Sequence, residues 1–347
     1  MVTKLETLIV GAGAVGCGLA YALRHRRDSV FWVEAAARPG TGMTSRNSGV
    51  IHAGIYYPET SLKTKLCRHG AALLYEFAKA HGVPHRRTGK YLVANDQDGV
   101  AFLGELAAKN PEVPLEEVRR IPPGIRAEKA LFSPNTGLID QHALVAALIE
   151  ASGIEPIYNQ RVAAMTCENG RVRVVIGDDT YSVARVFNCT GLNACHFTPH
   201  RKHFYARGCY FQIMPSPGRN VPDLVYPAVP KSSASLGIHL TRNLFGETFL
   251  GPDLKWIDSE SYSVPPEDGE TFFQAARRYL PWLDRARLQP AYAGIRAKLD
   301  RNQFSDFELL FEGDNRQLCH FLGIESPGLT ASLALGRHAA ELASLVD

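Results

Sequence analysis

A two-domain α/β fold, α+β in its second part, is predicted for this 347-residue chain by three features. The sequence opens on a strand, a glycine-rich turn, a helix and a second strand. It carries two internal stretches of strand-like runs, and it closes on a glycine-led apolar helix. Such an order predicts a Rossmann-like nucleotide domain interrupted by a discontinuous, antiparallel-sheet substrate domain.

The opening unit begins with Thr7-Leu8-Ile9-Val10, a short apolar run suited to a buried parallel strand. It passes into Gly11-Ala12-Gly13-Ala14-Val15-Gly16, and small or apolar residues continue to Leu23 before the basic cluster Arg24 to Arg27 ends the helix. Ser29 to Val33 forms the second strand, with Glu34 at its end, eighteen residues beyond Gly16, and Ala35 beside it. In this context the glycines have separate tasks. Gly11 permits the tight turn, Gly13 lets the backbone approach a pyrophosphate, and Gly16 lets helix and strand pack closely. The N–H groups at Ala14 and Val15 begin a helix whose positive end suits that anion. Glu34 is placed to accept hydrogen bonds from adenosine ribose hydroxyls and would repel a 2′-phosphate, so NADP is disfavoured.

An NAD domain usually continues soon into another helix. Here Arg38 to Gly49 is instead a loop of small, amide and hydroxyl residues. Thr44, Ser45, Asn47 and Ser48 suit the wrapping of a ribityl chain and flavin edge, which points to FAD. Val186 to Gly191 reads as a buried strand ending in a tight turn, and Val162, Thr190, Gly191 and Gly294 join the expected cofactor set. The third cofactor element is Gly323 to Thr330, followed by an apolar helix through Leu333, Leu335, Leu342 and Val346. Ser326 or Pro327 starts that helix. Its first turn, with Ser326, Gly328, Leu329 and Thr330, can face the flavin N1/O2 edge, where negative charge gathers on reduction.

Several long stretches carry a family resemblance. Ser45 to Pro58, Ser61-Leu62-Lys63, Leu66-Cys67, Thr88-Gly89-Lys90, Pro134 to Asp140, Gly237 to Thr241, Tyr292 to Lys298 and Gly323 to Leu335 resemble the L-2-hydroxyglutarate dehydrogenase/oxidase family of D-amino-acid-oxidase-like flavoproteins. The chain departs from the pattern at Ala297, where the resemblance implies Pro. It departs again at Arg207-Gly208-Cys209-Tyr210, where an acid often replaces the Cys, and it is shorter than many relatives. Those departures leave the exact substrate open.

On this reading residues 1–83, 136–203 and 293–347 form the FAD domain and 84–135 with 204–292 form the substrate domain. Leu73, Leu74, Phe77 and Ala78, with Gly82 behind them, have helical spacing and a glycine stop. Tyr205 to Met214, Leu236 to Thr241 and Thr248 to Gly251 read as strands of a sheet covering the flavin.

Oxidising an L-2-hydroxy acid requires C2 hydride passed to flavin N5, a base for the hydroxyl proton, and cations for carboxylate. The resemblance implies that Arg296 clamps the α-carboxylate, a task its planar fork suits. His52 and His239 compete as the base. His52, just beyond the loop, could also touch the flavin or, by resemblance to covalent flavoproteins, bond to it. A dicarboxylate needs a second cation, for which Arg207 and Lys298 are candidates, with Tyr57 and Tyr226 as hydroxyl donors. The expected partner is a small-molecule 2-hydroxy acid, most of all L-2-hydroxyglutarate. An amine or amino-acid oxidase on the same fold, and a flavin-bound assembly protein without turnover, are the alternatives. The acceptor, whether oxygen, a quinone or a carrier protein, leaves no signature, and a quinone would imply peripheral membrane contact.

The balance of 38 basic and 35 acidic side chains, with no dense basic block, argues against nucleic acid. Seven cysteines with no C-x-x-C pair suggest neither a disulfide framework nor a zinc site, and no metal is expected. No signal peptide or apolar stretch of spanning length is seen, so a cytoplasmic setting is expected, at most peripheral to a membrane.

Overall fold

The computed structural model describes residues 3–218, 220–229 and 237–345. Strand β1 (Thr3–Val10) runs into α1 (Ala14–Ala22) and returns as β2 (Val30–Val33). After β3 (Val50–Ile51), Ser61 caps α2 (Leu62–Ala80) by accepting a hydrogen bond from the Thr64 N–H. That cap starts the helix about three turns ahead of Leu73, where the apolar spacing alone becomes evident. A first excursion holds β4 (His85–Arg86), β5 (Lys90–Ala94), α3 (Gln97–Lys109), β6 (Glu116–Glu117) and β7 (Lys129–Ser133). The chain comes back through β8 (Gly137–Ile139), α4 (Gln141–Ser152), β9 (Val162–Glu168), β10 (Arg171–Ile176) and β11 (Asp179–Asn188). A second excursion holds β12 (Phe204–Ile213), β13 (Leu224–Pro227), β14 (Leu240–Arg242), β15 (Thr248–Leu250), β16 (Lys255–Ile257), α5 (Gly269–Ala276) and β17 (Leu288–Lys298). The last part is β18 (Glu308–Glu312), β19 (Leu318–Leu322) and α6 (Gly328–Leu342). Two residues assigned to elements from sequence, Leu236 and Val346, lie outside the described residues.

The first sheet has the order β18-β19-β11-β1-β2, with the β9–β10 meander attached to β11. β1 pairs in parallel with both β11 and β2, and β11 in parallel with β19. Because side chains alternate along β1, Ile9 joins a core with α1, α2, α4 and α6 while Leu8 and Val10 join one with β9, β10 and β11. The second sheet runs β16-β12-β15-β14-β13-β5-β7-β6, with β17 on β12. It is antiparallel except where β13 meets β5 in parallel, which joins the two excursions. The expected division at 292/293 falls inside β17, which pairs with β12 from Leu288 to Lys298. This strand therefore carries residues of one sheet to the mouth of the other. The small β3-β8-β4 sheet makes a second link.

Helices α1, α2 and α6 cross closely because glycines stand at their contacts. A Cβ on Gly18 would lie 2.3 Å from the Ser332 carbonyl oxygen, and one on Gly336 would lie 2.4 Å from the Gly18 carbonyl carbon. On α2, a Cβ on Gly70 would lie 2.4 Å from the Thr330 oxygen. Replacing Gly18 by Ala should therefore overpack the crossing and lower stability by about 1–3 kcal/mol. Gly104→Ala, on the exposed face of α3 with nothing near the added carbon, should raise it by about 0.5–1 kcal/mol. Urea denaturation of both variants checks this, and equal effects would contradict the crossing.

Candidate active site

A cavity of about 1210 Å³ opens between the two sheets, larger than the roughly 300–1,000 Å³ of an ordinary small-molecule pocket. At one end Gly11, with φ of +103°, turns the chain so tightly that a Cβ would sit 2.6 Å from the Cys189 carbonyl oxygen. Gly16 performs the matching task inside α1, where a Cβ would come within 2.0 Å of the Gly11 carbonyl oxygen. Glu34 closes this end, its carboxylate accepting from the Ala12 N–H at 2.6 Å and the Ala36 N–H at 2.8 Å. Thr44 Oγ1 accepts from the Ala14 N–H at 3.0 Å and so ties the flavin loop to the start of α1. These groups fit an FAD, with backbone N–H groups for its pyrophosphate and a fixed carboxylate for its ribose.

At the other end α6 begins at Gly328 after Pro327, without a side-chain cap. Its first helical bond runs from the Ala331 N–H to the Pro327 oxygen, so the N–H groups of Leu329 and Thr330 have no partner within the helix. Gly328 and Leu329 line the cavity. Thr330 Oγ1 accepts from the His52 N–H at 3.0 Å and donates to the Val50 oxygen at 3.3 Å, fastening the first turn of α6 to β3 and the histidine.

Most of the residues expected from sequence meet here. His52, His239, Arg296, Tyr57, Tyr226, Lys298, Glu34, Ala35, Thr44, Asn47, Ser48, Val162, Thr190, Gly191, Gly294 and Ser326 all line the cavity, together with Gly11, Gly13, Ala14 and Val15. Four do not. Gly16 and Thr330 act from behind the wall, as described. Ser45 turns its hydroxyl onto the Thr41 and Gly42 carbonyl oxygens, closing its own loop rather than offering a donor to a ligand. Arg207 sits on the opposite face of β12 from its neighbour Gly208, bonds Ser263 Oγ at 2.7 Å, and leaves its Nε buried without a partner. Strand alternation places it off the cavity, where the composition of its motif gave no hint.

Arg296 projects from β17 across Gly208, where a Cβ would come within 3.0 Å of its Nη1. It bonds the Asp253 carbonyl oxygen at 3.1 Å, and among the described residues no carboxylate lies within ion-pair distance. His52 Nε2 lies 3.5 Å from Ser326 Oγ. Burial, then the Lys90 charge, holds the imidazole pKa down at about 3, so its ring is neutral at ordinary pH. The His239 ring stacks on Tyr226 at 3.5 Å and 10°.

Three further groups were not read as functional from sequence. Lys63 and Lys298 both donate to Oε1 of Glu325, at 2.8 and 2.7 Å, and all three line the cavity. Lys63 falls on the buried stripe of α2 with Leu66, Cys67, Gly70 and Leu74, and a lysine on an apolar helical face is the signal that could have found it. Lys90 is 1% exposed, with Nζ 4.4 Å from the Tyr226 ring centroid and 4.7 Å from that of Tyr56. Burial lowers the Lys90 pKa to about 7, opposed by the Cys67 thiol.

A family model described as FAD dependent oxidoreductase matches residues 6–342. The chain is 33% identical to an L-2-hydroxyglutarate dehydrogenase, mitochondrial, of Arabidopsis thaliana, over 97% of this chain and 83% of that protein. It is 27% identical to an L-2-hydroxyglutarate dehydrogenase of Escherichia coli, over 96% and 92% respectively. The L-α-glycerophosphate oxidase of Mycoplasma pneumoniae, solved with FAD bound, shares the fold with a TM-score of 0.88 at 21% identity, over 99% of this chain and 95% of that one. No helix among the described residues is long and apolar enough to cross a membrane.

The depressed Lys90 pKa has a consequence for stability. The unfolded chain holds that proton up to pH 10.5 and the folded chain only up to about 7, so folding loses stability as pH falls between those values. Lys90→Met should therefore be more stable than the parent by a margin that grows as pH is lowered from 10.5 to about 7 and is level below that. Denaturation midpoints across this range measure it, and a margin independent of pH would refute it.

Proposed function

Because the chain belongs to the family of FAD-dependent oxidoreductases, whose model spans nearly its whole length, we propose that it oxidises an L-2-hydroxy acid, foremost L-2-hydroxyglutarate, to the 2-oxo acid. The names of the relatives support that substrate class. The observation that carries the reading is Arg296, a cation without a carboxylate partner among the described residues, standing in the same cavity wall as two imidazoles.

FAD, when bound, supplies the two-electron acceptor to which the substrate's C2 hydride passes. Gly11, Gly13, Ala14, Val15, Glu34, Thr44, Asn47, Ser48, Thr190 and Gly191 would hold its length, and Gly328 and Leu329 would present the amide end of α6 to the flavin. Arg296 holds the α-carboxylate as a fork, orienting C2 so that its one hydrogen faces the cofactor. The hydroxyl proton must leave as the hydride does. Burial and the Lys90 charge disfavour a proton on His52, which favours His239 as the acceptor, with His52 and Tyr226 in the same wall placed to orient the hydroxyl.

Anaerobic mixing of the FAD-loaded protein with 2-hydroxy and amino acids tests this. L-2-hydroxyglutarate should bleach the oxidised flavin band, and bleaching by amino acids alone would overturn the reading. Arg296→Met should chiefly raise the substrate concentration needed. His239→Ala should slow reduction at saturation by about 100-fold or more, and His52→Ala by less. A larger loss at His52 than at His239 would reverse their roles.

A further inference from the structure

We propose that Lys298, fixed by the buried Lys63–Glu325 pair, seats a second carboxylate of the substrate and makes the site selective for a dicarboxylate; this rests on the reading of Arg296 as the clamp for the first. The reach follows from strand geometry. Along the end of β17 the half-buried Tyr292, Gly294, Arg296 and Lys298 alternate with the buried Ala293, Ile295 and Ala297, so arginine and lysine share the cavity face. Two residues of strand separate their backbones by about 6.7 Å. Two carboxylates four carbon–carbon bonds apart span at most about 6 Å. That backbone spacing is matched by a five-carbon diacid with one carboxylate toward each cation, whereas a monoacid has only one carboxylate to give.

The charge follows from the cluster. Two ammonium groups donate to one carboxylate oxygen, so Lys63, Glu325 and Lys298 together keep one positive charge. Burial alone would raise the Glu325 pKa, but Lys63 and Lys298 outweigh it and hold the carboxylate ionised. Of the acids nearby, Asp306 has its oxygens engaged by the N–H groups of Leu62 and Lys63 at the start of α2 and by its neighbour Phe307, and Asp300, also in the cavity wall, accepts from the N–H groups of Asn302 and Gln303. Lys63 touches the cavity with a side chain only 2% exposed, whereas that of Lys298 is 19% exposed and has two more N–H groups to give. Lys63 is thus a positioning residue: it occupies the carboxylate that would otherwise neutralise Lys298. With Arg296, the wall presents two positive charges to a dianion.

The test compares FAD-loaded wild type, Lys298→Met and Lys298→Arg. Each is titrated with 2-oxoglutarate and with 2-oxobutyrate, following the flavin absorbance, and is then reduced anaerobically with the corresponding L-2-hydroxy acids. Lys298→Met should weaken binding of the diacid by about ten- to a hundredfold while leaving the monoacid within about threefold. Lys298→Arg should keep most of the preference. Should Lys298→Met fail to hold flavin, Lys298→Gln gives the same reading. Equal losses for both acids, or a shifted flavin potential with selectivity intact, would overturn the inference while the parent reading stands. A wild-type flavin that L-2-hydroxyglutarate does not bleach would remove both.

Discussion

The close crossing of α1 and α6 is the constraint from which the site follows. Helix axes can approach this nearly only where Cβ atoms are missing, and Gly18 and Gly336 supply that on the two partners, with Gly70 doing the same from α2. The crossing converges the positive ends of two helices on one cavity, α1 at the pyrophosphate end and α6 at the ring end. Thr330 then joins α6 to β3 and His52 by two hydrogen bonds, so helix packing sets where the candidate catalytic side chain stands.

The second sheet supplies the other half of the wall, and β17 is its working edge. Gly294 lets the loop carrying Arg46 lie directly against this strand, and Gly208 leaves room across β12 for the Arg296 guanidinium. The cations Lys63, Lys90, Arg296 and Lys298 lie in or just behind one wall, and only Glu325 pairs directly with any of them among the described residues. Burying ammonium groups costs stability, so this surplus points to an anionic occupant rather than to structural support.

What the sequence disclosed was what local chemistry dictates. The glycine turn, Glu34 and the glycine-led first turn of α6 have fixed spacings along the chain, and Arg296 stood inside a motif specific to a family. The misjudged residues depended on which way a side chain turned. Arg207 and Arg296 are equally basic, and only the alternation along β12 and β17 separates one from the cavity and admits the other. Lys63 and Lys90 stood in family-like stretches but were given no role, because a lysine is by default a solvated residue and their burial arises from contacts with Glu325 and Tyr226 far along the chain. The domain limit at 292/293 was drawn between motifs, whereas hydrogen bonding to β12 carries β17 across it.

The central claim is that two glycine-packed helices present their amide ends to opposite ends of one FAD. Electron density for the FAD-loaded protein addresses it most directly. The account predicts pyrophosphate density over the Gly11–Ala14 turn, adenosine ribose on Glu34, and the flavin pyrimidine edge facing the Leu329 N–H at the start of α6. Density that runs the other way, or a flavin remote from α6, would contradict it.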